Sequence, residues 1–326
     1  MTTTLIHPQV WRSADGSVCR LVTIKPGMCG HNSLFYGQLG DWTWETVSEL
    51  CEADAFNAYN AAGQPTYLSF YYFHVRAGDA LHPRSLSFGH RVEVVSRVFG
   101  FGSESVLTLH RLRQVGPDYE ADPDAGFEPY EFYDAPRADC LYVQNFNRWV
   151  SRGRDGSNEG LVAAAPVGFR HEHLPQLPAQ YSPRLVYSRA RQQLTFHDPQ
   201  QPGWREVVGE HRTDYRIDIS RDVNGVGLLY FASYFSIVDG ALLGLWRELG
   251  RSDRSFLDRV VHDQKLCYLG NADVDTRLRI TMRSWRAEHD PAEEMFNAVI
   301  EDSATDRVLA VCTLHIRSEG SHVERR

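Results

Sequence analysis

The sequence lacks a long uninterrupted hydrophobic run and an export signal. The longest apolar stretch, residues 226–246, is interrupted by Asp239, two serines and three glycines, so it falls short of the roughly 18 apolar residues that a membrane span needs. The N-terminus has no basic stretch followed by an apolar run and a cleavage site. We therefore expect a cytoplasmic protein without a membrane partner.

Excess positive charge and clustered metal ligands are also missing. The net charge of −8 argues against a nucleic-acid partner, because phosphate binding needs a basic face. The six cysteines include no Cys-x-x-Cys pair, and His171 and His173 have no third ligand at helical spacing. The sequence contains no Gly-x-Ser-x-Gly elbow, phosphate-binding loop or dinucleotide fingerprint. We expect no metal and no cofactor.

A polar, Gly-containing turn that leads into an apolar helix occurs twice in the 326 residues. Residues 27–35 precede a helical segment at 41–50, and residues 222–227 precede a more apolar one at 234–246. A helix that is apolar on nearly every face must be buried, and many short strands favour a curved antiparallel sheet as its wrapper. The pattern predicts an α+β double hotdog, in which each of two curved antiparallel sheets wraps around a long central helix.

Each half has one predicted strand before its helix and the other predicted strands after it. In the first half they lie at 18–24, 66–75, 90–98 and 106–112, with a hairpin turn at 100–103, and in the second half at 215–219, 276–286, 295–300 and 308–316. Six prolines interrupt the middle of the chain. We therefore expect an N-terminal hotdog at 1–145, a Pro- and Arg-rich connector at 146–203 that packs across the halves, and a C-terminal hotdog at 204–326.

The helix N-terminus is the expected reaction centre of a hotdog, because its free backbone N–H groups can polarise a thioester carbonyl. The first turn offers His31 and Asn32 as catalytic hydrogen-bond donors. Other residues of the two turns are candidates for substrate binding: Gly30, Ser33, Asn224 and Gly225. A side chain that acts on the acyl group should lie across from the first turn, and Tyr67, beside the candidate binding residue Thr66, is the best candidate.

Two other hotdog patterns leave different functions open. His74, Gly78 and Pro83 have the spacing of the hotdog dehydratase His motif, although here they follow the central helix. Asp222-x-Asn-Gly resembles the opening of single-hotdog thioesterases, with Val226 in place of their usual His. A dehydratase or thioesterase acting on acyl-CoA or acyl-carrier-protein thioesters therefore stays open, as does a non-catalytic scaffold that binds a carrier protein.

Four phrases resemble one family across residues 18–316. They are Gly-Met-Cys-Gly-His-Asn-Ser-Leu-Phe at 27–35, Gly-Asp-Trp-Thr-Trp at 40–44, Pro-Thr-Tyr-Leu-Ser-Phe-Tyr-Tyr-Phe at 65–73 and Gly-Val-Gly-Leu-Leu-Tyr-Phe-Ala-Ser-Tyr-Phe at 225–235. The sequence is similar to the bifunctional acyltransferase/decarboxylase of leinamycin-type hybrid polyketide pathways.

This resemblance implies an enzyme of antibiotic biosynthesis that decarboxylates methylmalonyl-CoA. It also implies transfer of the resulting propionyl group to the phosphopantetheine thiol of an acyl carrier protein, without a cofactor. The family's catalytic tyrosine carries over to Tyr67 in the Pro-Thr-Tyr phrase, with Tyr71 and Tyr72 as alternatives. A homodimer is expected, because hotdogs commonly pair through their sheet edges.

Overall fold

The computed structural model describes residues 8–29, 32–153, 156–198 and 201–318. The chain divides into two compact units, an N-terminal unit at Met1–Arg184 and a C-terminal unit at Leu185–Arg326. The boundary falls inside the segment predicted to be a connector. Each unit has a long helix and an antiparallel sheet, which confirms the predicted hotdog architecture.

The N-terminal unit contains the long helix α1 and a sheet with the strand order β1-β2-β5-β6-β7-β4. The short strand β3 pairs with β4, and β8 pairs with β7. The elements, in chain order, are β1 (Gln9–Arg12), β2 (Val18–Thr23), α1 (Asn32–Cys51), β3 (Ala58–Tyr59), β4 (Pro65–Ala77), β5 (Arg91–Gly100), β6 (Ser105–Val115), α2 (Pro129–Tyr133), β7 (Cys140–Ser151) and β8 (Val162–Ala163).

The helix α3 (Pro183–Gln193) begins at the boundary, and the C-terminal unit then has the strand order β10-β13-β12-β11-β9. Its elements are β9 (Trp204–Arg216), α4 (Ile219–Asp222), α5 (Ser233–Glu248), α6 (Asp253–Asp258), β10 (Val260–Tyr268), β11 (Arg277–Ala287), β12 (Glu293–Asp302) and β13 (Val308–Arg317). Among the helices that the structure describes, none is both long and apolar enough to cross a membrane.

Most predicted elements are present, and the hairpin between β5 and β6 turns as expected. Gly102 adopts a φ of 90° there, which a residue with a side chain rarely adopts, and Phe101 N–H bonds to Ser105 C=O at 3.1 Å. The strand predicted at 215–219 was wrong, because β9 occupies Trp204–Arg216 and α4 begins at Ile219. β7, β10 and α3 were not predicted. Polar residues occupy interior positions of β7, so its apolar alternation is weak.

Helix α1 packs on one face of the N-terminal sheet. Val47 of the helix lies in one buried cluster with Leu68, Val98 and Trp149, which come from β4, β5 and β7. The Trp44 indole N–H also bonds to the Leu68 carbonyl at 2.8 Å. Burying each such side chain contributes about 1.5–3 kcal/mol to folding. The face that contacts α1 is called the inner face of this sheet.

Helix α5 is buried more completely than α1. Few polar residues interrupt the apolar ones along this helix, and ten of its sixteen residues are buried. Trp246 anchors its C-terminal end: the ring lies 6.2 Å from Phe296 of β12 and 5.7 Å from Phe256 of α6, between centroids. The side of the sheet that carries Phe296 is therefore the inner face of the C-terminal unit.

Candidate functional site

The first turn of α1 is only partly described. Gly30 and His31 lie outside the described residues, and so does the side chain of Asn32, the first residue of α1. Ser33 follows it on the first turn and is half-buried. One turn later, the Tyr36 ring centroid lies 6.0 Å from that of Phe73 in β4. The N-terminal end of α1 therefore lies beside the second half of β4.

Tyr67 lies near the opposite end of β4. The helix meets that end through Trp44, which bonds to the Leu68 carbonyl, so α1 runs antiparallel to β4. Side chains alternate along a strand, and Leu68 points toward α1, so Tyr67 points to the outer face of the sheet. Within this unit the phenol does not lie across from the helix N-terminus, contrary to the expectation from sequence.

Arg152 is the residue that accompanies the Tyr67 phenol. Its Nη1 donates to the phenol oxygen at 3.4 Å, and its Cζ lies 5.8 Å from the Tyr67 ring centroid. Arg152 Nε donates to Oδ1 of the buried Asn158 at 3.0 Å, which fixes the guanidinium plane. Tyr67 itself is half-buried. The three side chains form a polar group, called the Tyr67 cluster, that sequence reasoning did not find.

Neighbouring residues of β4 differ from Tyr67 in their surroundings. Tyr72 is 1% exposed, which leaves its hydroxyl little access for a substrate. Burial raises the pKa of Tyr71, although contact with Arg148 opposes that shift. Thr66 points to the inner face, and its buried hydroxyl has no hydrogen-bond partner among the described residues. Tyr67 and Tyr71 are thus both half-buried with an arginine at the phenol oxygen, whereas Tyr72 is buried.

Asn224 and Gly225 form a turn rather than a helix N-terminus. The Asn224 side-chain oxygen accepts from the backbone N–H groups of Val226 at 3.2 Å and Leu228 at 3.0 Å. Helix α5 begins only at Ser233, so seven residues separate it from Gly225. The geometry assigns Asn224 a structural role, and its predicted contact with substrate stays a prediction.

Asp222, the thioesterase-like carboxylate, already has protein partners. It is fully buried, and its Oδ2 accepts from the Tyr215 hydroxyl at 2.5 Å and from the Asp218 N–H at 2.9 Å. Burial, followed by the hydrogen bond to Asp222, raises the pKa of Tyr215 to about 12. Arg221 Nε contacts Oδ1 at 3.2 Å. These bonds use both carboxylate oxygens to hold the loop that precedes α5.

A second polar group lies on the inner face of the N-terminal sheet, and sequence reasoning missed it. His110 contacts the Thr43 hydroxyl through Nε2 at 2.9 Å and the Ser96 hydroxyl through Nδ1 at 2.8 Å. Asn145 donates to Thr43 at 2.6 Å. Burial, helped by the charge of Arg20, lowers the pKa of His110 to about 3, so the ring is neutral at pH 7. Polar residues at alternate positions of strand-like segments were the signal for this group.

No group of three or more His, Cys, Asp or Glu residues within the described ranges is arranged to hold a metal ion. His171, one of the two histidines considered as ligands, pairs through Nε2 with the carboxylate of the adjacent Glu172 at 3.6 Å.

Three solved structures with a similar fold are described as thioesterases. The chain is similar to an acyl-ACP thioesterase from Bacteroides thetaiotaomicron, with 9% identity, 92% of this chain and 97% of the other covered, and a TM-score of 0.52. A putative oleoyl thioesterase from Lactobacillus plantarum has 9% identity, 98% and 100% coverage and a TM-score of 0.55. The 12:0-ACP thioesterase from Umbellularia californica has 10% identity, 92% and 94% coverage and a TM-score of 0.54. At these identities the likeness shows the hotdog fold alone.

No curated protein matches the chain. The family model described as the LnmK N-terminal Hot Dog Fold domain matches residues 19–199, which is more than half of the chain and includes α1, β4 and the Tyr67 cluster. The chain therefore belongs to the LnmK hotdog family.

Proposed function

We propose that this protein decarboxylates methylmalonyl-CoA and transfers the propionyl group to the phosphopantetheine thiol of an acyl carrier protein. Membership in the LnmK hotdog family supports an enzyme that acts on acyl thioesters. The observation that carries the finer proposal is the Tyr67 phenol held at 3.4 Å from the Arg152 guanidinium.

The proposed reaction has two parts. Loss of CO2 breaks the bond between the carboxylate and C2 and leaves an enolate, which is protonated at C2 to give propionyl-CoA. The Tyr67 oxygen then attacks the thioester carbonyl, and the CoA thiolate leaves and takes up the phenol proton. The carrier-protein thiol next attacks the tyrosyl ester and regenerates the phenol. Hydrogen-bond donors stabilise the oxyanions of the enolate and of each addition step.

A tyrosine nucleophile needs a neighbouring group that activates its phenol, and Arg152 is that group in this proposal. A neutral phenol is a weak nucleophile, and a guanidinium at its oxygen stabilises the negative charge that develops there when the proton leaves. Asn158 holds Arg152 Nε at 3.0 Å, so this charge is positioned before substrate binds. Arg152 therefore has the role of activating Tyr67.

The direct test is intact-mass spectrometry of a phosphopantetheinylated carrier protein incubated with methylmalonyl-CoA and this enzyme. We expect a propionyl adduct on the carrier with the wild-type enzyme and none with Tyr67→Phe. Arg152→Met should lower the rate by about 100-fold, because it removes one charged hydrogen bond to the reacting oxygen. Peptide mapping without the carrier should find propionate on Tyr67.

Tyr59→Phe is the matched control, since Tyr59 is an exposed tyrosine of the same unit, and it should keep full activity. Tyr71→Phe and Tyr72→Phe test the two alternative tyrosines. Hydrolysis of the CoA ester without carrier acylation would indicate a thioesterase. A carrier that binds while the CoA ester is never consumed would indicate a scaffold. A homodimer stays a prediction that sedimentation analysis tests.

A further inference from the structure

The reaction at Tyr67 needs hydrogen-bond donors that helix α1 does not supply within the N-terminal unit. Negative charge develops on the thioester oxygen when CO2 leaves, and again when the Tyr67 oxygen adds to the carbonyl. The N-terminal end of α1 lies on the inner face of the sheet, whereas Tyr67 points to the outer face. Within this unit, donors for the thioester oxygen must therefore come from the outer face of β4 and β7.

Ser69 is the next residue of β4 on the outer face. The register between β4 and β7 is regular from Tyr67 to Phe70, so Tyr67 and Ser69 point the same way, about 6.7 Å apart along the strand. Ser69 is half-buried. Its hydroxyl has no hydrogen-bond partner among the residues that the structure describes. A hydroxyl donor is therefore available beside the nucleophile.

Arg148 of β7 lies opposite Ser69 in the register, which places the two Cβ atoms about 5 Å apart. Tyr67 is paired with Val150, so Arg148 is its diagonal neighbour on the same face, at a separation that a long side chain spans. Glu104 Oε2 accepts from Arg148 Nη2 at 2.7 Å, and this bond orients the guanidinium. The Arg148 side chain is still 40% exposed, so a substrate can reach it.

The chemistry of decarboxylation decides which oxygen of the substrate these donors should contact. A guanidinium that binds the carboxylate would stabilise the negative charge that has to leave that group, and this would slow the loss of CO2. Donors at the thioester oxygen instead stabilise charge that appears only as CO2 leaves, so they lower the barrier. The same donors act again when Tyr67 adds to the carbonyl and charge returns to that oxygen.

We propose that Ser69 and Arg148 form the oxyanion site for the reaction at Tyr67. The inference rests on the proposed function and names the residues that stabilise its enolate and its addition intermediates. The Ser69 hydroxyl and an N–H of Arg148 donate to the thioester oxygen, while the Tyr67 oxygen faces the carbonyl carbon. Neither donor gives up its proton: the thioester oxygen gains charge as the bond to the carboxylate breaks and loses it when C2 is protonated.

The first measurement separates decarboxylation of methylmalonyl-CoA from propionyl transfer between propionyl-CoA and the phosphopantetheinylated carrier. Ser69→Ala and Arg148→Met should each lower kcat of both reactions by about 100-fold with little change in KM, and Ser69→Thr, which keeps the hydroxyl, should restore most of the rate. The matched controls are Ser87→Ala, at an exposed serine, and Arg137→Met, at an arginine that is 42% exposed and pairs with Asp139 at 2.7 Å. Both controls should keep the wild-type kcat.

The second measurement observes the carbonyl without turnover. Propionyl-CoA with an isotope label at the thioester carbonyl is bound to Tyr67→Phe, which cannot accept the acyl group, and the C=O stretch is recorded by infrared difference spectroscopy. Hydrogen-bond donors at the oxygen polarise this bond, so the stretch should lie at a lower frequency than in free propionyl-CoA. Adding Ser69→Ala or Arg148→Met should move it back toward the free value. Thermal melting checks that each variant is folded.

Two results would overturn the inference: wild-type rates in both Ser69→Ala and Arg148→Met, or a carbonyl stretch that neither substitution changes. A loss in Arg148→Met that Tyr71→Phe reproduces would also overturn it, because Arg148 would then act through the phenol that it contacts. The proposed function fails separately. A carbonyl stretch that depends on Ser69 and Arg148, without decarboxylation or carrier acylation, would refute that function and leave the oxyanion site in place.

Discussion

The two units bury different side chains at equivalent positions between helix and sheet. In the N-terminal unit the paired inner positions of β6 and β7 include Thr108 with Asn145 and Val106 with Asn147. In the C-terminal unit β12 and β13 place Ala298 with Cys312 and Phe296 with Leu314. At these paired positions of the central strands the N-terminal unit is therefore more polar than the C-terminal unit.

The largest loss of folding stability is expected when a buried apolar residue of the C-terminal unit is replaced by a polar one. Leu314 is fully buried between Phe296 and Gln264 in the sheet register. Leu314→Asn should lower the free energy of unfolding by about 3 kcal/mol, because an unpaired amide replaces buried methyl groups. Urea denaturation measures this change. Asn147→Leu is the reciprocal substitution, and a loss as large as that of Leu314→Asn would show that the two interiors do not differ as described.

The next effect concerns the buried charge of the C-terminal interior. Glu294 binds Arg251 through both oxygens at 2.6 Å, and Arg286 donates to the same carboxylate at 2.8 Å. Glu294→Gln should cost about 2 kcal/mol in urea denaturation, because two guanidinium groups lose their anion. Glu206→Gln is the control, since the Glu206–Arg283 pair is half exposed and such pairs contribute about 0–1 kcal/mol. Equal losses of unfolding free energy in Glu294→Gln and Glu206→Gln would contradict the role of burial.

The buried, neutral His110 of the N-terminal unit should make the free energy of unfolding depend on pH in the acid range. The pKa of His110 is about 3 in the folded state, against about 6.5 in the unfolded chain. Between these values only the unfolded chain binds the proton, so the free energy of unfolding falls as the pH drops from 6.5 toward 3. The slope from this ring is at most about 1.4 kcal/mol per pH unit.

His110→Gln removes the titrating ring. The free energy of unfolding of this variant should therefore fall less steeply with decreasing pH than that of the wild type. Denaturant titrations at several pH values measure both slopes. Identical slopes would mean that His110 is protonated in the folded protein, contrary to its burial between Thr43 and Ser96.

The smallest effect is expected at Asp41 of the central helix α1. Burial, and then the charge of Glu45, raises the pKa of Asp41 to about 6. The folded state therefore favours protonated Asp41, and this contribution is present below pH 4 and lost as the pH rises through 6. Asp41→Asn should slightly raise the melting temperature at pH 8 and leave it unchanged at pH 4.

Asp239 of α5 provides the contrast, because its carboxylate pairs with Arg259 at 2.9 Å in a buried position. Asp239→Asn should lower the melting temperature at pH 8. If both substitutions change the melting temperature in the same direction at pH 8, the difference between the two helices is refuted.

The sequence predicted the order of the elements well. Segments such as 66–75 and 308–316 combine β-branched and aromatic residues, and their strand preference is local enough to read from the chain. Strand β7 was missed because Asn145 and Asn147 occupy interior positions, where an apolar pattern was required. Strand β10 was likewise hidden, because the polar residues at 262–265 interrupt the apolar residues at its two ends.

The sequence by itself determined two hotdog units and the family, since apolar periodicity and long residue phrases survive without coordinates. Only the tertiary structure decided which side chains meet. It placed Arg152, 85 residues along the chain, at the Tyr67 hydroxyl, and separated that hydroxyl from the helix N-terminus. Strand register joins residues distant in sequence, and alternation sends neighbours to opposite faces, so contacts depend on the pairing of whole strands rather than on local pattern.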